Sequence, residues 1–308
     1  MAWGEGGVQR VRAYAKVNLG LDVLGSRGDG YHRIDSIFQC IDLHDDIMFC
    51  DEPRIPAGRI LLTVDHPDVP TGEDNLILRA ARSFEGVPGM RIMLRKRIPV
   101  GGGLGGGSSD AAATLSVMED IAPPAGKEEI ARRALELGAD VPFFLSGGTA
   151  RISGIGERIF PLPDPAPHWV LILSPPISCD TALVYRAYDS LGPPPDKARS
   201  IPGVSKALAE GGLEGMLGEG TNDLQRAAYA VYPALRDFAE SMAGRLGRPM
   251  VLSGTGSSFF AVYRHYDRVL WDWSRLRWDL AARGARAILA RFRFGAGWEV
   301  VTREGDRR

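Results

Sequence analysis

Cysteine is scarce: three in 308 residues, Cys40, Cys50 and Cys179. Their odd number and the lack of any C-x-x-C spacing exclude a disulfide framework and a zinc knuckle, and point to reduced thiols. A surplus of one charge is missing too. With 37 Lys and Arg against 38 Asp and Glu, the net charge is −1, so the basic excess of a general nucleic-acid binder is absent. No stretch approaches the ~20 consecutive apolar residues of a membrane helix. Residues 1–5, MAWGE, have no basic segment leading into an apolar one, so no secretory signal is read there. The expectation is a soluble, cytoplasmic protein that binds neither nucleic acid nor membrane. The sequence has no coiled-coil heptads and leaves the oligomeric state unset.

Glycine, by contrast, is in excess: 38 residues, where average usage gives about 22 in a chain of this length. At roughly 150 residues per domain the length suggests two domains, large enough to bury a core without disulfides or structural metal.

Residues 11–24, VRAYAKVNLGLDVL, alternate strictly. Val11, Ala13, Ala15, Val17, Leu19, Leu21 and Val23 share one face, and Arg12, Tyr14, Lys16, Asn18 and Asp22 the other. Period two over this length predicts a strand with one buried face. The pattern predicts further strands near 34–41, 46–50, 59–65 and 90–98, and helices at 75–84, 108–119 and 127–137. The last of these helices is stopped by Gly138. A proline-rich stretch at 161–167 interrupts the chain. After it come a strand at 169–173, a helix at 181–190, and Gly/Pro-rich loops at 192–203 and 211–221 around a short helix. A long helix at 223–243, strands at 249–253 and 258–263, a helix at 267–282 and a strand at 297–301 complete the pattern. Strands and helices mix without regular β-α repetition, which predicts an α+β fold in two domains, 1–163 and 164–308. Residues 264–293 hold eight Arg and three Trp. Aspartates interleave with the arginines, so this stretch reads as an amphipathic helix with Arg outside and Trp partly in the core, rather than as a patch for an anionic partner.

The glycines concentrate between residues 99 and 110, PVGGGLGGGSSD, after an apolar strand and before the helix former AAATLSVM. Backbone without Cβ atoms can approach phosphate oxygens closely and adopt positive φ. The helix start at Ser108, Ser109 and Asp110 offers free N–H groups and a positive dipole end to an anion. A Walker A loop needs Lys where Ser108 stands, which excludes a P-loop NTPase. Gly101, Gly103 and Gly106 fit G-x-G-x-x-G. A Rossmann unit would continue into a strand ending in an acid about 20 residues on, whereas here Pro123-Pro124 and another helix follow. A dinucleotide-dependent oxidoreductase is therefore the lesser alternative.

The stretch 99–112, PVGGGLGGGSSDAA, resembles the central phosphate-binding motif of the GHMP kinases. AKVNL at 15–19 and LSGTGSS at 252–258 resemble their other two motifs. The segments DGYH at 29–32, EDNLI at 73–77, GADVP at 138–142 and NDL at 222–224 resemble the members acting on a cytidine diphosphate derivative of methylerythritol. The resemblance runs over about residues 11–263. It implies the two-domain GHMP kinase fold, with an N-terminal mixed β-sheet carrying helices and a C-terminal ferredoxin-like α/β sandwich. It also implies ATP and Mg²⁺ as cofactors, and transfer of the γ-phosphate to the 2-hydroxyl of the methylerythritol moiety. Other small-molecule kinases of the family, mevalonate- or homoserine-type, are the nearest alternative.

The resemblance assigns roles residue by residue. Asp140 would be the catalytic base and Lys16 its partner, although local sequence alone also suits Asp140 as a helix N-cap. Asn18 would bind the polyol or hold the lysine. His32 would read the cytosine edge, with Tyr31 near the ribose or diphosphate and Tyr185 across the ring, and Gly254 and Thr255 would close the cleft. On the nucleotide side, Asn75 and Lys96 would contact adenine, while Pro99, Gly101, Gly102, Gly103, Leu104, Gly105, Gly106 and Gly107 would form the cradle. Ser108 and Ser109 would offer hydroxyls to phosphate or Mg²⁺. Asp110 stays open between helix N-terminus and metal, and no protein metal ligand is assigned.

Overall fold

The computed structural model describes residues 7–28, 30–193 and 199–304. Residues 1–5 and Asp29 of the DGYH segment lie outside the described residues, as does part of the 192–203 loop. Strand β1 (Val8–Ser26) pairs antiparallel with β2 (His32–Asp51) along nearly its whole length. The predicted strands at 34–41 and 46–50 are thus one strand. β3 (Ile60–Val64), β4 (Met90–Arg95), β5 (Thr149–Gly154), β6 (Arg158–Pro161) and β11 (Trp298–Glu304) complete a seven-stranded sheet. Its main order is β11-β1-β2-β4-β3, and β5 pairs with β2 and β6. Only β3 and β4 form a parallel ladder among the described strands, so the parallel sheet of a dinucleotide-binding unit is not formed here.

Helices α1 (Leu76–Arg82), α2 (Gly106–Ile121), α3 (Lys127–Leu137) and α4 (Val141–Ser146) belong to this part of the chain, and their apolar residues share one core with β1, β2 and β4. Phe38, Phe143 and Phe144 meet edge to face at 5.2 Å within it; burying each stabilises the fold by about 1.5–3 kcal/mol.

The second sheet is built from β7 (Trp169–Ser174), β8 (Val251–Leu252), β9 (Phe259–Tyr263) and β10 (Arg286–Arg291), in the order β10-β7-β9-β8 and antiparallel throughout. Numbered within this unit the order is 4-1-3-2, with helices between the first two and the last two strands: the ferredoxin-like arrangement. Its helices are α5 (Thr181–Leu191), α6 (Ser200–Glu210), α7 (Leu213–Met216), α8 (Leu224–Val231), α9 (Pro233–Leu246) and α10 (Tyr266–Ala282). The chain then returns, as β11, to the edge of the first sheet beside β1.

Several sequence expectations change. β1 is buried on both faces from Ala13 to Val23. Ala15, Val17 and Leu19 pack against β7, β9 and α6 in a third apolar cluster, while Lys16 and Asn18 meet Phe38, Asp140 and Ser36 and Asp22 meets the start of α6. Lys16, Asn18 and Asp22 are therefore buried rather than solvated. The predicted helix at 223–243 breaks at Tyr232 (φ −125°, ψ 81°), since Pro233 has no N–H and pushes its predecessor out of the helical region. Helical structure begins at Ser200, inside the predicted loop, where Asp22 of β1 accepts from the Ser200 and Ile201 N–H groups. Of the three tryptophans in the Arg-rich stretch only Trp273 is half-buried. Trp271 and Trp278 are 64% and 70% exposed, beneath the guanidinium groups of Arg275 and Arg277. No helix among the described residues is long and apolar enough to cross a membrane.

Candidate active site

Helix α2 begins at Gly106, directly after Gly105 in the left-handed conformation (φ 74°). Its first N–H groups have no partner within the helix, and they open onto a cavity of about 360 Å³ lined by Asn75, Lys96, Pro99, the glycine loop, Ser108 and Asp110. The loop is fixed from behind. Ser258 N donates to Gly102 O (3.2 Å), Ser253 Oγ to Gly103 O (2.9 Å) and Lys16 N to Leu104 O (3.0 Å). A Cβ on Gly103, where φ is +72°, would lie 2.0 Å from Ser253 O. Only glycine fits this contact between the central and third loops. Leu104 is buried in the third apolar cluster.

The serines part ways. Ser108 lines the cavity, while Ser109 is fully buried and its Oγ donates to Gly297 O at 3.3 Å. Asn75 caps α1, accepting from Ile77 N (2.9 Å) and donating to Pro70 O (2.6 Å). Lys96 is neither a solvated strand lysine nor open to the cleft at its tip. Its Nζ lies 2.5 Å from Asp45 Oδ2 and 2.9 Å from Asp110 Oδ2, all three side chains buried. Asp45 Oδ1 also accepts from Arg97 N and Ile98 N at 2.5 and 2.9 Å. Burial alone would lower the Lys96 pKa, but the Asp110 and Asp45 carboxylates outweigh it and hold the ammonium above its ordinary value. Burial pushes Asp110 up to about 7 against the attraction of Lys96, and its Oδ1 has no hydrogen-bond partner. Asp45 escaped the sequence reading, because it sits mid-strand with no motif around it.

A second cavity, of about 680 Å³, lies on the other side of the glycine loop; Gly103 and Gly105 line both. Lys16 and Asp140 stand in its wall with Nζ and Oδ2 3.5 Å apart. Asn18 Oδ1 accepts from Lys16 Nζ at 2.6 Å, and the Phe38 ring lies 4.4 Å from the ammonium. Asn18 Nδ2 donates to Ser36 Oγ (3.2 Å), which donates to Gly20 O (2.5 Å). The Asn18 side chain thus holds the lysine, and Asn18 also lines the cavity. Burial lowers the Lys16 pKa, opposed by the Asp140 carboxylate. Asp140 precedes α4, but its side chain makes no cap hydrogen bond; the carboxylate is turned to Lys16.

The far end of this cavity is aromatic. His32 stacks on Tyr185 (centroids 4.6 Å apart, 26° between planes), and its Nε2 lies 2.7 Å from Asp189 Oδ1. Tyr31 is 62% exposed at the rim. Gly254 (φ +58°) and Thr255 close the opposite side. Thr255 Oγ1 is 3.1 Å from Thr181 Oγ1, and Asn222 Nδ2 braces the loop through Leu252 O and Gly254 O at 2.7 and 2.8 Å. Lys16, Asn18, Tyr31, His32, Asp140, Tyr185, Gly254 and Thr255, drawn from separate segments of the chain, thus meet in one cavity.

The sequence and the fold are similar to those of known proteins. Residues 75–148 match the model of the GHMP kinases N-terminal domain. The chain is 39% identical over 264 residues to the 4-diphosphocytidyl-2-C-methyl-D-erythritol kinase of Pelotomaculum thermopropionicum, covering 81% of this chain and 87% of the relative. To the enzyme of the same name from Deinococcus radiodurans it is 37% identical over 256 residues, covering 81% and 82%. Among solved structures, a 4-(cytidine 5'-diphospho)-2C-methyl-D-erythritol kinase superposes with a TM-score of 0.71 at 35% identity, covering 92% of this chain and 98% of that one. The homoserine kinase of Cytophaga hutchinsonii shares the fold at a TM-score of 0.70 and 18% identity, over 96% and 97%. The chain belongs to the 4-diphosphocytidyl-2-C-methyl-D-erythritol kinase family of the GHMP kinases.

Proposed function

We propose that the protein transfers the γ-phosphoryl group of ATP to the 2-hydroxyl of 4-diphosphocytidyl-2-C-methyl-D-erythritol. The observation that carries this reading is the wall shared by the two cavities. A nucleotide with its phosphates on the 101–107 loop would present its terminal phosphorus toward Lys16 and Asp140 across Gly103 and Gly105. Phosphoryl transfer needs in-line positioning and charge stabilisation more than covalent help. The α2 N-terminus and loop N–H groups would hold the transferring oxygens. Asp140 would accept the alcohol proton as the O–P bond forms and ADP leaves, a role worth about 10²–10⁴-fold. Lys16, fixed by Asn18, would orient Asp140 and offset charge on the acceptor oxygen.

Mg²⁺ fits the donors at hand: the Ser108 hydroxyl and the nucleotide's own oxygens are hard ligands. When bound, it would neutralise phosphate charge. The stacked rings of His32 and Tyr185 suit a pyrimidine-bearing acceptor better than mevalonate or homoserine, which have no base to stack. In this reading the division near residue 164 separates the phosphate cradle from the part that closes the acceptor cavity. The test is ADP release from ATP and Mg²⁺ by the purified protein. Release that depends on the cytidylyl substrate, and not on mevalonate or homoserine, is expected; release with mevalonate alone would overturn the substrate assignment.

A further inference from the structure

Helix α5 aims Tyr185, Tyr188 and Asp189 at one imidazole. Their spacing, i, i+3 and i+4, puts all three on a single helix face. Tyr185 stacks on His32, Tyr188 meets it edge-on at 6.4 Å, and Asp189 Oδ1 holds its Nε2 at 2.7 Å. The His32 side chain is only 8% exposed, while that of Asp189 is 52% exposed. A hydrogen bond this open to water adds little to fold stability, so its effect is on the ring. An ionised carboxylate can only accept a hydrogen bond, so Nε2 must carry a proton. An imidazole holding a single proton then presents Nδ1 purely as an acceptor. Cytosine offers an exocyclic amine, a donor, where a uracil-type base has a carbonyl oxygen.

We infer that Asp189 is a positioning residue that fixes the His32 proton on Nε2, leaving Nδ1 as the acceptor that favours a cytosine over a uracil in the substrate. The inference rests on the cytidylyl reading of the acceptor cavity. In serine proteases an aspartate likewise sets the histidine tautomer, and its change to asparagine leaves the geometry while reversing the tautomer. The substitution Asp189→Asn would have that effect here, since a side-chain amide can donate to Nε2 and move the proton to Nδ1.

The experiment compares wild type, Asp189→Asn and Asp189→Glu, using ¹H–¹⁵N spectra of labelled histidine assigned with His32→Gln. Steady-state kinetics follow with the cytidylyl substrate and its uridylyl analogue. Expected are the Nε2–H tautomer in wild type and Nδ1–H in Asp189→Asn. The Asp189→Asn variant should show a rise of about tenfold in KM for the cytidylyl substrate, an unchanged KM for ATP, kcat within about twofold, and reduced discrimination against the uridylyl analogue. Asp189→Glu should restore most of the loss. An unchanged KM in Asp189→Asn, or an Nδ1–H tautomer in wild type, would overturn the inference. If wild type releases no ADP with the cytidylyl substrate, the functional reading fails instead, and the tautomer of the free protein still decides the role of Asp189.

Discussion

At the scale of residues, the site is organised by buried charge. The Lys16–Asn18 pairing was legible from period two alone, because alternate residues of a strand share a face. What period two could not reveal is that this face is dry, since the side chains that meet it, Ser36, Phe38, Asp140 and Ser253, come from distant segments of the chain. The Lys96–Asp45–Asp110 cluster was illegible for a related reason. Its members lie on a strand, a segment beyond a strand and a helix start, joined only by the fold. The cluster leads to a pH prediction. The folded-state pKa of Asp110 is raised from 3.8 to about 7, so the native state holds this proton more tightly than the unfolded chain. Stability from this group is full below the ordinary carboxyl range and is lost as pH rises through about 7. Denaturant unfolding at several pH values should show wild type losing stability relative to Asp110→Asn between about pH 4 and 7. A difference independent of pH would contradict this.

At the scale of elements, the glycine loop was the most legible part, because a run of glycines before a helix start has one evident chemical use. Breaks were read less well. Pro233 interrupts an otherwise periodic stretch, and β5, β6 and β10 lie outside the strands that the pattern predicts. β10, RAILAR, lay hidden in an arginine-rich segment read as helix. The loop gives a contrast between neighbouring glycines. At Gly103, alanine would combine a left-handed φ, costing about 1–2 kcal/mol, with a Cβ 2.0 Å from Ser253 O. At Gly107, the Cβ would meet only Leu76 Cδ1, at an ordinary 3.7 Å, and alanine favours the helix by about 1 kcal/mol. Thermal melts and ATP titration should find Gly103→Ala destabilised and at least about tenfold weaker for ATP. Gly107→Ala should be as stable as wild type or more so. Equal behaviour of the two variants would show that the loop is not braced as described.

At the scale of the whole molecule, two sheets share β1 as a common wall, and the chain end returns as β11 to flank it. The α+β class and ferredoxin-like second unit followed from the sequence and its family resemblance. The return of β11 to the first sheet did not, since nothing in a short terminal strand names its partner. This architecture sets two cavities, proposed for nucleotide and acceptor, on opposite sides of one glycine loop, with Lys16 and Asp140 in the wall of the larger. If transfer occurs across that wall, removing the Asp140 carboxylate should abolish proton acceptance and leave the nucleotide side untouched. The direct measurement is kcat for substrate-dependent ADP release in Asp140→Ala, set beside the ATP dissociation constant of the same protein. The expected result is a loss of kcat of at least about 10²-fold with ATP affinity within about threefold of wild type. Turnover at the wild-type rate, or a loss explained wholly by failure to bind ATP, would contradict the account.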